Sequence, residues 1–141
     1  MGDASQPLHS TIHVNGWRPE VPNPNGYRTT PGIHREFETE MLNHTTIDPH
    51  EVQQKMAPPQ ALLGDPLQWA VGIIQESNSQ VERLYQLEKA GNLKPDQPTP
   101  QGIDFAEERL AKGASNLRDL WVSAWTASEA LAVEMAKDKP S

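Results

Sequence analysis

Cysteine is absent from the 141 residues, which excludes both disulfides and thiolate metal sites. Aromatic residues are sparse, and apolar residues make up 35% of the chain, below the ordinary globular share. No apolar run approaches the length of a membrane span, so stable membrane insertion is not expected. A signal-peptide pattern is not visible either, which leaves the compartment open. Basic residues are in the minority, 12 against 19 acidic ones, giving a net charge of −7 and a pI of about 5.1. That field repels nucleic acid and anionic membranes and disfavours a basic-patch nucleic-acid binder. No internal repeat is evident.

What the chain does contain is helical periodicity punctuated by its 13 prolines. The expected fold class is all-α, with a long irregular loop near the N-terminus. Residues 15–32 hold Asn-Gly twice and four prolines, a turn-rich signature. Residues 33–43 read as a helix that packs through Ile33, Phe37 and Met41. Asp48-Pro49 and Asp65-Pro66 each pair a capping residue with proline at the first helical position. The first starts a short helix ending near Met56. The second starts a long one, with Leu67, Ala70, Val71, Ile74, Val81 and Leu84 inward and Gly91 as its stop. The stretch Gln75 to Gln80 has no apolar residue and reads as a solvated turn. After a loop over 91–102, a last helix from about Asp104 to Lys137 places Ala106, Leu110, Gly113, Leu117, Trp121, Ala124, Leu131 and Met135 near one face. Trp121 and Trp125 read as core or helix-packing residues. Much of the apolar content lies after residue 60, so the N-terminal third is expected to need support beyond burial.

That third carries the chemistry. Asp3, His9, His34 and Glu38 are residue types that hold zinc. His34 and Glu38 are four positions apart, so on a helix they project from one face and can grip one ion. Folding residues 10–33 back would bring His9 to them. Three imidazole and carboxylate ligands with a fourth position for water make the arrangement of a catalytic zinc, whereas structural zinc usually prefers thiolates. A His-x3-Glu pair alone is common on helix surfaces, and the order and combination of these residues raise its value. His13, four positions after His9, is expected to line the site, since Ser10 to Val14 reads as extended. Trp17 and Tyr27 suit stacking on a base or covering lipid, and Arg18, Arg28 and Arg35 suit phosphate, against the plainer reading of loop anchors and solvated charge.

Gly2-Asp3, Gln6-Pro7-Leu8-His9, Ile33-His34 and Phe37-Glu38, in this order, resemble the second half of the metal site in the superfamily of zinc-dependent phospholipase C and single-strand-specific zinc nucleases. The resemblance implies a mainly helical phosphodiester hydrolase with up to three Zn2+ ions. It makes Asp3 the carboxylate shared between two zincs and the catalytic residue that orients the attacking water. His9, His34 and Glu38 would hold the remaining ion. Single-stranded nucleic acid or phospholipid would be the substrate, with endonuclease activity slightly favoured and a periplasmic or secreted location. Glu38 is phospholipase-like, where nucleases usually have Asp; the long loop between His9 and His34 is nuclease-like, though the Gly-Gly-Asn element of the nucleases is absent. The family's other ligands precede the shared Asp. The expectation is therefore that Met1 is an internal methionine of a longer protein, that residues 1–137 are a partial domain with at most one complete zinc site, that 138–141 are a frayed tail, and that an N-terminal half is a possible partner. The alternatives are a catalytically inactive helical fragment and an acidic helical interaction module without metal.

Overall fold

Aspartate side chains start two of the helices as their sequence requires. Asp48 accepts the His50 N–H at the head of a helix over Pro49–Gln54, and Asp65 accepts the Leu67 N–H at the head of Pro66–Ser79. The computed structural model describes residues 2–62 and 64–137, with side chains up to residue 129. In chain order the helices are α1 (Gly2–Ser5), α2 (33–43), α3 (Pro49–Gln54), α4 (Pro66–Ser79), α5 (Val81–Lys89) and α6 (Pro100–Lys137), with a 3-10 turn over Pro7–Ser10. The class is all-α. Among the described residues there is no strand, only a single bridge between Val14 and Gly16. No helix among them is long and apolar enough to cross a membrane.

Ile33, Phe37 and Met41 lie on one face of α2 at four-residue spacing, and all are buried. They meet Val81, Leu84 and Tyr85 of α5 and Phe105 and Ala106 of α6, with Leu8 and Tyr27 closing the cluster. The middle of α2, Glu36–Glu40, is a π-helical turn between two short α-helical pieces. Such turns recur where a helix presents functional side chains.

Four expectations are corrected. The helix begun at Asp65 breaks at Gln80, where the backbone bonds of one helix end and those of α5 begin. Within α4 the buried residues are Ile73 and Ser77, while Leu67, Val71 and Ile74 are exposed. Ser77, expected in a solvated turn, is fully buried, and neighbouring Glu76 pairs with Arg109. On α6, which begins at Pro100, the core face carries Phe105, Ala106, Ala111 and Ser115. Leu110, Trp121 and Trp125 are exposed, the two tryptophans by 68% and 70%. Residues 57–62 bond Ser115, Asp119 and Ser123 on one line of α6, and Trp121 and Trp125 lie on the opposite side of the helix from that line. Leu131, Met135, Met1 and the tail 138–141 lie outside the described side chains.

An extended strap, residues 57–62, runs along α6. Its prolines, Pro58 and Pro59, lack N–H groups and so cannot continue a helix. The N–H groups of Ala57, Gln60 and Leu62 donate to Ser115 Oγ, Asp119 Oδ1 and Ser123 Oγ at 3.1, 3.2 and 2.9 Å. These acceptors recur every four residues, which puts them on one line of the helix. Replacing Ser115 with alanine should leave the Ala57 N–H without its partner and lower stability by about 1 kcal/mol. Urea unfolding measures this, and an unchanged midpoint would show that the strap contributes nothing there.

Candidate metal centre

His9 leaves the 3-10 turn that Gln6 caps by accepting the Leu8 N–H, at 2.7 Å. His34 and Glu38 leave α2 side by side, on the strip next to the buried Ile33 and Phe37. The structure brings these three together. His9 Nε2 lies 3.0 Å from His34 Nε2, His34 Nε2 lies 2.7 Å from Glu38 Oε2, and His9 Nε2 lies 3.4 Å from the same oxygen. All three ligand atoms fall within 4.8 Å of one another and can hold a metal ion. The sides of this triangle are close to the roughly 3.3 Å edge of a tetrahedron drawn at zinc–nitrogen and zinc–oxygen distances.

Hydrogen bonding sets the state of His34. Its Nδ1 is 3.1 Å from the Val14 carbonyl oxygen, which can only accept, so Nδ1 carries the proton. In the neutral ring Nε2 then holds a lone pair, and it faces a carboxylate oxygen at 2.7 Å. Two electron-rich atoms at that distance require a positive charge between them, either a proton on Nε2 or a cation among the three donors. A carbonyl behind the ring of a ligating histidine is also the outer support that metal sites commonly use. The donor set and its support therefore fit a borderline-soft divalent ion.

Burial by itself would raise the Glu38 carboxyl pKa, but a hydrogen bond from Gln6 and, when the imidazoles carry a proton, the bond from His34 and the charge of His34 and His9 hold it below the ordinary value. Asp3 stands apart from the triad. Its carboxylate is 3.6 Å from His9 Nδ1, on the side of the ring away from His34, and its side chain is 93% exposed.

The loop over 11–32 is ordered by buried bonds rather than by periodicity. Tyr85, fully buried on α5, donates its hydroxyl to the His13 carbonyl at 2.6 Å and accepts the Gly16 N–H at 3.0 Å. Asn23 clamps Tyr27 through both its amide atoms, at 2.7 and 2.8 Å. Gly16 is required where it sits: its φ is +127°, and a Cβ there would come 2.7 Å from the Thr29 carbonyl oxygen. Trp17 stacks on His13 at 3.8 Å, and Tyr27 is buried, so both anchor the loop. His13 accepts the Arg18 N–H at Nδ1, and burial, followed by the Arg18 charge, lowers its pKa. It is a structural neutral histidine outside the triad. Arg28 makes a double bond-pair to Glu36 at 2.7 and 3.0 Å, and Arg18 and Arg35 pair with Glu20 and Glu40. Each is engaged by a carboxylate, in agreement with the plainer reading of loop anchors and solvated charge.

Two contributors escape sequence reasoning. Gln6 reaches Glu38 at 3.3 Å and was visible only as part of a motif, and Val14 acts through its carbonyl, for which side-chain identity gives no signal. No protein-family model, curated protein or solved structure matches this chain.

Proposed function

We propose that His9, His34 and Glu38 form the zinc site of a phosphodiester hydrolase of the phospholipase C and single-strand nuclease type. The observation that supports it is His34, whose proton is committed to Val14 while its other nitrogen faces two further donors within 3.0 Å. His9 and His34 would offer neutral Nε2 atoms and Glu38 its carboxylate, leaving a coordination position for water or substrate. A bound zinc would polarise a phosphoryl oxygen and make water acidic enough to act as nucleophile near neutral pH. Asp3, open to solvent 3.6 Å behind the His9 ring, would favour a proton on His9 Nδ1 and so leave Nε2 free for the ion.

Elemental analysis of the dialysed protein tests this first, with about one zinc per chain expected from one set of three ligands. Hydrolysis of bis(p-nitrophenyl) phosphate by the loaded protein tests the rest. No zinc after refolding with the metal would sink the proposal. A second reading, a helical module that binds one ion without turnover, is favoured by one observation: the described residues hold a single metal-capable group. Zinc without hydrolysis would select it.

A further inference from the structure

Two members of the triad, His9 and Glu38, open on a groove. A cavity of about 440 Å3 is bounded on one side by His9 and Glu38 and on the others by Phe37 and Leu42 of α2 and by Ala106, Leu110, Ala114 and Leu117 of α6. Asp3, Ser5 and Gln6 also line it, whereas along α6 the wall is apolar apart from Arg109. The one strong cation on it, Arg109, is 9% exposed and turned into a pair with Glu76 at 3.0 Å, so it offers no competing charge. The small side chains of Ala106 and Ala114 keep the wall concave, and Leu110, 43% exposed, stands at the open surface.

We infer that the groove and the triad are one composite site for an anionic amphiphile, with its oxyanion head at the metal and its alkyl chain along α6. This rests on the metal reading above. Two neutral imidazoles and one carboxylate leave a divalent ion with net positive charge, which selects an anion. Elsewhere the chain is acidic, with a net charge of −7, so an anion is held at the ion or not at all. From Leu110 to Leu117 the helix rises roughly 10 Å, about the reach of eight carbons of extended chain. The volume falls within the roughly 300–1,000 Å3 of small-molecule sites.

The test is isothermal titration of butyl-, hexyl- and octylphosphonate into the 141-residue protein, zinc-loaded and zinc-free, with zinc content measured in each sample. For the loaded protein the Kd should tighten roughly fourfold per added methylene up to about octyl. The zinc-free protein should bind all three weakly. Leu110→Glu and Ala114→Phe place charge and bulk in the groove without touching a ligand atom. Both should keep the zinc and lose the dependence on chain length. Equal affinity across the series in loaded protein overturns the groove and leaves the metal site standing, whereas a chain that takes up no zinc overturns both. Unchanged length dependence in both variants also overturns it. A vesicle arm separates the sources: co-sedimentation with phosphatidate-containing vesicles identifies a membrane lipid, and octylphosphonate binding without it identifies a free amphiphile.

Discussion

Changing His34 to alanine is expected to weaken zinc binding by more than about 100-fold, because outer-shell supports alone are commonly worth roughly 10- to 100-fold. The loss should be this large because His34 is the hinge of the triad: its Nε2 is the atom closest to both other donors, at 3.0 and 2.7 Å. The fold should survive. His34 lies on the strip of α2 beside the buried Ile33 and Phe37, its side chain is 26% exposed, and alanine is a better helix former than histidine. Metal-free stability should fall by no more than about 1 kcal/mol, the cost of the one hydrogen bond to the Val14 carbonyl. Elemental analysis and circular dichroism on the same sample read both effects. Full zinc content in a folded His34→Ala protein would remove the triad as the site.

The second large effect is expected at Tyr85. Truncating this fully buried ring to alanine should cost about 3–5 kcal/mol, the range for large aromatic residues in a core. It also strands the Gly16 N–H and the His13 carbonyl, which the hydroxyl satisfies from both sides. Tyr85→Phe separates the two contributions, since it keeps the ring and removes only the hydroxyl, at about 1–3 kcal/mol for the groups left unpaired. Both variants should weaken zinc binding as well. Val14 lies between His13 and Gly16, the two residues that Tyr85 holds, and its carbonyl sets the proton on His34. Urea unfolding followed with and without zinc measures the coupling. A Tyr85→Phe protein with parental zinc affinity would show that the loop is held by other bonds.

Local signals in the sequence were legible wherever the cause is local. Asp48 and Asp65 cap as their sequence neighbours require, Gly91 ends its helix with φ at +79°, and the face of α2 follows its four-residue spacing. The faces of α4 and α6 were not legible. Periodicity shows that Leu67, Val71 and Ile74 share a stripe, but not that the neighbours of α4 meet Ile73 and Ser77 instead. Nor does it show that residues 57–62 lie along Ser115, Asp119 and Ser123, which leaves Trp121 and Trp125 on the open side of α6. The loop was opaque for a different reason. Its order comes from single long-range bonds such as Tyr85 to His13, which no periodic pattern announces. The triad itself was readable because His34 and Glu38 share a helix face and His9 sits in a motif with them. The carbonyl behind His34 was not, because any residue at position 14 would supply one.

The two histidines also meet from opposite ends of residues 10–33. A cation shared between them would therefore act as a cross-link, closing a loop that the unfolded chain leaves free. For a disulfide spanning a loop of that order the gain is roughly 3 kcal/mol, most of it drawn from the entropy of the denatured state. In a chain without cysteine, the metal would stand where an extracellular protein places its bridge. Such a bridge is opened by a chelator and left untouched by a reductant.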